Sequence, residues 1–295
     1  MPPRNWLITG ASSGFGRIMA EQLLARGARV AGTVRNLSVM DELKAKYGSQ
    51  LWLAKLDLSE TATIRGSVDL AFAALGHIDV VVSNAGYGLM GAAEEMTDEQ
   101  VRHQIDTNLV GSIQLIRAAL PHLRAQGGGR ILQLSSMGGQ VAFPGGSLYH
   151  ATKWGIEGFL DAVAQEVEGF GIGCTLIEPG GARTDFRHRS AQLAPTLDAY
   201  DASPSRMVNR IIADDSHPSP GDPVKMVQIM IASVDETPAP RRIALGSDAY
   251  HVMRERLCAR LETLEAQREL ACSTDFPPDK SDGNAPAWFA PNRAQ

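Results

Sequence analysis

Short runs of apolar, largely β-branched residues alternate along this chain with longer segments of helical period, and that alternation constrains the fold more than any other feature. The runs are Trp6 to Thr9, Arg29 to Val34, Leu51 to Leu56, Ile78 to Val82, Arg130 to Leu134 and Ile172 to Ile177. They lack the apolar–polar alternation of a strand with one wet face, so they must be covered on both sides. Between them, Gly16 to Arg26, Leu37 to Tyr47, roughly Val101 to Gln126 and roughly Tyr149 to Phe170 carry the helical period. Strand, helix and strand repeated in this way predict an α/β fold, a doubly wound parallel sheet with helices on both faces. A length of 295 residues, 44% of them hydrophobic, allows one large domain of this kind or two small ones.

The first helix places Ile18, Met19, Leu23 and Leu24 on one face and stops at Gly27, a good left-handed cap position. In the helix from Tyr149, the small residues Ala151, Gly155, Gly158 and Ala162 fit either a close helix neighbour, from this chain or a second subunit, or ordinary packing on the sheet. From Asp185 to Pro223, arginine, serine and aspartate are interrupted by five prolines, with little core pattern. A stretch this long without periodicity is functional or mobile, and we expect a substrate loop or lid over 185–223. Val224 to Val234 then reads as helix, Arg242 to Leu245 as strand and Ala249 to Leu270 as helix; Ser273 to Gln295, with four prolines, reads as an irregular tail.

Lysine and arginine number 28 against 33 aspartate and glutamate, a net charge of -5 without a long block of either sign. That balance argues against nucleic acid or an anionic membrane as partner. No segment approaches the roughly 20 apolar residues of a membrane span, and no export signal is visible. The three cysteines, Cys174, Cys258 and Cys272, form no CxxC pair, which fits a reducing compartment; a cytoplasmic protein is expected. Seven histidines show neither HExxH nor any metal-ligand spacing, so no catalytic metal is expected.

Thr9-Gly10-Ala11-Ser12-Ser13-Gly14-Phe15-Gly16 lies directly after the first apolar run and before the first amphipathic helix. In that setting glycine permits a sharp turn and close approach of a pyrophosphate, whose charge the helix N-terminus stabilises. Gly10, Ser12, Ser13, Gly14, Phe15 and Gly16 are accordingly candidate cofactor ligands. At the end of the second run, a dinucleotide with a free 2′-hydroxyl would favour an acidic residue, and the sequence has Arg35 instead. A guanidinium there suits a 2′-phosphate, hence NADP(H) rather than NAD; the other reading is a solvated surface arginine. Asp57 and Leu58 close the third run, where the carboxylate could accept from an adenine amino group or, like Ser59, simply cap the next helix.

Taken together, these residues resemble the short-chain dehydrogenase/reductase family over roughly residues 5 to 250. The matching motifs are the TGxxxGxG turn at Thr9 to Gly16, Asn84-Ala85-Gly86, Asn108, Ser136, Tyr149-xxx-Lys153, and Pro179-Gly180 followed by Thr184. The resemblance implies a single Rossmann-type domain of about seven strands in the order 3-2-1-4-5-6-7, spanning residues 1–272, and a homodimer or homotetramer. It implies that Asn84 and Gly86 support the cofactor side of the sheet and that Pro179, Gly180 and Thr184 lie against the nicotinamide. It also implies the catalytic set Asn108, Ser136, Tyr149 and Lys153, with Asn108 holding a water that links Lys153 to solvent. Ser136 is chosen over Ser135 because it stands 13 positions before Tyr149, the family's spacing.

Tyr149 and Lys153 fall one helical turn apart on one face. A phenol is a poor acid or base near neutrality, and a neighbouring ammonium lowers its pKa toward a useful range. Tyr149 would exchange a proton with the substrate oxygen, Ser136 would donate to it, and Lys153 would also hold the nicotinamide ribose. The expected activity is interconversion of a carbonyl and a secondary alcohol on a hydrophobic small molecule. A 3-oxoacyl carrier-linked reductase and a non-catalytic NADP sensor are the alternatives. Ser136 lacks the GxSxG elbow of a hydrolase, and His150 should serve packing or solvent contact. Val141, Phe143, Leu148, Phe186, Leu193, Leu197, Tyr200 and Met207 either line an apolar pocket or pack the loops onto the sheet.

Overall fold

The computed structural model describes residues 4–276 except 215 and 217. In chain order the elements are β1 (Asn5–Thr9), α1 (Gly14–Ala25), β2 (Arg29–Val34), α2 (Asp41–Tyr47), β3 (Leu51–Lys55), α3 (Thr61–Leu75), β4 (Val80–Ser83), β5 (Gly88–Met90), α4 (Asp98–Ile105) and α5 (Gly111–Ala125). They continue with β6 (Gly129–Leu134), α6 (Ser147–Glu166), β7 (Ile172–Pro179), β8 (Ala191–Leu193), α7 (Arg206–Ala213), α8 (Pro223–Ala232), β9 (Arg242–Leu245), α9 (Ser247–Ala266) and α10 (Arg268–Cys272). Seven strands form one parallel sheet in the order β3-β2-β1-β4-β6-β7-β9, the doubly wound arrangement expected.

Successive residues of a strand point to opposite faces, and here both faces are dry. From β1, Leu7 joins Val81, Ile131 and Leu176 beneath Ile64 and Val68 of α3, Leu115 and Ile116 of α5, and Ile156 and Leu160 of α6. Its neighbours Trp6 and Ile8 join Val80, Val82 and Ile177 beneath Met19 and Leu23 of α1 and Met226, Val227 and Met230 of α8. Two-sided burial is the physical reason the apolar runs show no alternation. It leaves the carboxyl ends of β1, β4, β6 and β7, with the loops that follow them, as the edge where polar groups can gather.

The expected helix from Val101 to Gln126 is two helices. Asp106–Val110 forms a π-type turn between α4 and α5, and Asn108 within it is buried with its side chain bonded to the Tyr87 main chain. The irregular segment after β7 also contains structure that local pattern did not show. Its β8 pairs in parallel with β5, Gly88 to Ala191 through Met90 to Leu193, in a second small sheet, and α7 follows.

The chain divides into two compact units, one ending at Met253 and the other beginning at Arg254. In the second unit Leu257, Leu261 and Leu264 are exposed. Most of the expected tail, residues 277–295, lies outside the described residues. No helix among the described residues is long and apolar enough to cross a membrane.

Candidate active site

A cavity of about 460 Å³ runs along the carboxyl edge of the sheet. At one end is the β1–α1 turn. Gly10 takes a positive φ of 68° and donates its N–H to the Thr33 carbonyl at 2.9 Å. A Cβ on Gly16 would fall on the Gly10 carbonyl oxygen and lie 2.6 Å from Asn84 Nδ2, so the turn closes only with glycine there. Asn84 holds the turn from the neighbouring strand: its Nδ2 donates to Thr9 O at 2.8 Å, and its N–H donates to Thr9 Oγ1 at 3.0 Å. Ser13 precedes α1 without a side-chain cap, and the first turn carries no acidic residue. The free N–H groups and positive dipole end of α1 are therefore left for an anion.

Gly10, Ser12, Ser13, Gly14 and Phe15 line the cavity. So do Arg35, Asp57, Leu58, Asn84, Gly86, Pro179, Gly180 and Thr184. Gly16 stands behind them as a packing requirement. Arg35 is exposed at the end of β2, and its guanidinium makes no hydrogen bond or ion pair with a described residue. Asp57 is partly buried, which opposes its ionisation. Hydrogen bonds from the Ser59 N–H at 2.9 Å and hydroxyl at 2.8 Å, with the nearby Arg35 and His103, hold its carboxyl below the usual range all the same. These bonds close a turn ahead of α3, whose N-cap is Glu60 without a side-chain bond, so Asp57 does not cap that helix; it borders the cavity.

At the other end, α6 and the end of β6 bring Ser136, Tyr149 and Lys153 together. Ser136 Oγ accepts the Gly138 N–H at 3.0 Å and neighbours the Tyr149 phenol. Burial raises the Tyr149 pKa and the neighbouring Ser136 hydroxyl opposes that rise. Lys153 Nζ stands 5.7 Å from the centre of the Tyr149 ring and donates to the Leu134 carbonyl at 2.8 Å. Burial pulls Lys153 down to about 8, against the pull of Glu157, which favours its ammonium. Ser135, adjacent in sequence, bonds Glu157 instead.

Asn108 does not line the cavity. Its Oδ1 accepts the Tyr87 N–H at 3.0 Å, and its Nδ2 donates to Tyr87 O at 2.7 Å and Thr152 Oγ1 at 3.4 Å. This clamps the loop after β4 to α6 one residue before Lys153. His150 is buried: Nδ1 donates to Gly138 O at 3.0 Å and Nε2 accepts the Phe143 N–H at 3.1 Å, which fixes a neutral ring. Burial lowers its pKa, in keeping with that tautomer.

The apolar wall differs from the one expected. Of the eight residues named for it, Phe186 lines the cavity; Met90, Met137, Val208, Ile211 and Ile212 supply the remainder. Val141 and Phe143 pack with Ala249 and Met253, and Leu193, Leu197 and Met207 are exposed. Tyr87 and His103, whose side chains bond each other at 2.7 Å, also border the cavity. No spacing in the sequence marks these residues, because β5, α4 and α7 meet only in the tertiary fold.

A family model described as short chain dehydrogenase matches residues 4–193, and the chain belongs to that family of oxidoreductases. Its relatives include oxidoreductase BOA17 of Botryotinia fuckeliana, 35% identical over 270 residues, 91% of this chain and 98% of that protein. The 3-ketodihydrosphingosine reductase of Bacteroides thetaiotaomicron is 37% identical over 186 residues, 63% of this chain and 66% of that protein. A short-chain dehydrogenase from Streptomyces avermitilis superposes with a TM-score of 0.86 at 35% identity, over 93% of this chain and 99% of that one.

Proposed function

We propose that this oxidoreductase uses NADP(H) to interconvert a ketone and a secondary alcohol on a hydrophobic small molecule. The observation that carries the reading is a single cavity bordered at one end by the glycine turn and Arg35 and at the other by Ser136, Tyr149 and Lys153. The residues present fit the dinucleotide. The turn closes only with glycine at position 16, the α1 N-terminus is uncapped, and Arg35 makes no hydrogen bond or ion pair with a described residue, with Asp57 nearby. Gly10 to Phe15 would hold the pyrophosphate, Arg35 the 2′-phosphate, Thr184 the carboxamide and Lys153 the nicotinamide ribose. When bound, the cofactor supplies or accepts the hydride.

In reduction, the Tyr149 phenol gives its proton to the substrate oxygen as negative charge develops there. The Ser136 hydroxyl donates to the same oxygen, and Lys153 stabilises the phenolate left behind. Asn108 acts through position, fixing the Tyr87 loop against α6. The apolar side chains of Met90, Phe186, Val208, Ile211 and Ile212 favour a lipophilic body on the substrate, and the Bacteroides relative is named for reduction of a keto group. Cys174, Cys258 and Cys272 are unbonded, which supports a cytoplasmic setting. Arg187 and Arg189 also border the cavity, and they favour a carrier-linked 3-oxoacyl substrate as the second reading.

The test is NADPH and NADH oxidation over aliphatic, aromatic and steroid ketones together with a 3-oxoacyl thioester. Turnover of a free lipophilic ketone with preference for NADPH is expected. Equal affinity for the two cofactors would overturn the NADP(H) assignment, and turnover confined to the thioester would favour the second reading.

A further inference from the structure

Beyond Lys153 on the same face of α6 lies a cluster of charged side chains. Tyr149, Lys153, Glu157 and Asp161 recur every fourth residue and so stack along one side of the helix. The Glu157 side chain is buried, and both its oxygens are engaged. Oε1 accepts from the Ser135 hydroxyl; Oε2 accepts from Gln140 Nε2 and, at 2.5 Å, from Arg242 Nη1. Ser135 directly precedes Ser136, and Gln140 directly follows the turn Met137–Gly139, so one carboxylate grips the serine-bearing loop at both ends. A Cβ on Gly139 would collide with that carboxylate, so glycine is what admits it.

Seven residues back on the same helix, His150 bonds Gly138 O and the Phe143 N–H of the same loop. The loop between β6 and α6 thus hangs from two α6 side chains. Arg242 supplies the counter-charge, bonding Glu178 at 2.5 Å and also Asp161. Burial and the neighbouring Glu157 push Glu178 up to about 7, against the pull of Arg242.

We propose that Glu157 is a positioning residue for the reaction, setting the place of Ser136 against Tyr149 through its bonds to Ser135 and Gln140. The inference rests on the reading of Ser136, Tyr149 and Lys153 as the reacting set. A buried carboxylate with no functional task would not need to hold both ends of the serine loop from the turn after Lys153. Its charge has a second consequence, because it favours the ammonium form of Lys153. Glu157 is faced by Lys153 and Asp161 on α6, Glu178 on β7, Arg242 on β9 and the neutral Ser135 and Gln140 on the loop. The Tyr149–Lys153 pair shares its cavity with Asp57, His103, Asp185, Arg187 and Arg189. Glu157→Gln leaves every one of these in place.

The experiment compares the pH profile of alcohol oxidation in wild type, Glu157→Gln and Ser135→Ala. We expect Glu157→Gln to lower kcat by roughly 10- to 100-fold with the KM for NADP unchanged. Its rising limb should move to lower pH by roughly one unit, since loss of a nearby negative charge lets the Tyr149–Lys153 pair release its first proton earlier. Ser135→Ala should lower kcat without moving the limb. An unchanged kcat in Glu157→Gln overturns the proposal, as does a fall in kcat matched by an equal loss of NADP affinity with the limb fixed.

If wild type turns over no substrate, the active-site reading fails on its own account. Glu157 is then judged by the tyrosinate absorbance of the free protein, taken as a difference from Tyr149→Phe. A lower midpoint in Glu157→Gln supports the proposal and an unmoved midpoint sinks it.

Discussion

The two walls of the cavity are built by different means. The wall proposed for the nucleotide is main chain held by short bonds: Gly10 and Ala11 both donate to Thr33 O, and the side chains of Thr9 and Asn84 tie β1 to the loop after β4. Its shape follows from the parallel sheet, which is buried on both faces. The wall proposed for the substrate draws on the segment 186–212, whose apolar side chains have few supports. Phe186, Leu193, Leu197, Met207 and Ile211 are all exposed despite being apolar. Three paired positions join β8 to β5, and one buried ion pair, Glu95 to Arg206 at 2.6 Å, fastens α7. Few buried contacts mean low local stability. On the proposed reading, the cofactor seat is held at many points and the segment over the substrate end at few, which would let that segment move without disturbing the seat.

Tyr149 belongs to neither wall, so Tyr149→Phe separates binding from chemistry most cleanly. Loss of the phenolic proton should lower turnover by roughly 10²–10⁴-fold while NADPH affinity, measured by fluorescence titration, stays as in wild type. A comparable loss of NADPH affinity would show that the two walls do not act separately. Next in size, Arg35→Ala should weaken NADPH by roughly 10- to 100-fold and leave NADH unaffected, since a charge-assisted bond to the 2′-phosphate has no counterpart in NADH. Parallel losses for both cofactors would place Arg35 outside the phosphate site. Gly16→Ala, which forces a methyl onto Gly10 O, should destabilise the fold by about 1–3 kcal/mol and weaken both cofactors alike. Thermal melting with paired titrations checks it, and a wild-type melting temperature would show the turn to be less tightly closed than its geometry indicates.

The same contrast governs how much could be read from the residues alone. The limits of β2 and β9 agree with the apolar runs Arg29 to Val34 and Arg242 to Leu245, and β1 differs from its run by one residue. Two-sided burial writes itself into consecutive positions, and the glycine turn is a local constraint. The single helix expected over Val101 to Gln126 fails because its break at Asp106–Val110 coincides with bonds from Asn108 to Tyr87 and Thr152, which local period does not record. Strand β8 is three residues long, and its partner β5 lies a hundred residues earlier. For Val141 and Phe143, apolar character alone leaves pocket lining and loop packing equally open; they pack with Ala249 and Met253, which only the tertiary fold brings there. Glu157 carries a signal in the sequence, its i+4 spacing from Lys153 on the face that holds Tyr149, though spacing alone does not separate it from a solvated charge.

The smallest expected effect concerns the lid fastening alone. Glu95 is held down to about 2 by its bond to Arg206, against the opposing effect of burial, with help from the N–H groups of Leu197 and Ala92. Its folded pKa therefore lies below the ordinary glutamate value of 4.5. For a depressed carboxylate the stabilisation is complete above the unfolded value and is lost as pH falls through the folded one. The fastening should thus persist through pH 4 and weaken only as pH approaches 2, a range in which pepsin remains an active probe. Wild type should resist cleavage between Phe186 and Ile212 at pH 4 and lose that resistance near pH 2. At neutral pH, Glu95→Gln should admit chymotrypsin to the same segment, because a neutral amide leaves Arg206 as a poorly compensated buried cation. NADPH affinity of the uncut variant should stay at the wild-type value, since no bond of Glu95 or Arg206 reaches the nucleotide wall. First cleavage outside the lid, or weaker NADPH binding in Glu95→Gln, would mean that the lid and the cofactor seat are one cooperative unit and that the contrast between the two walls is one of appearance only.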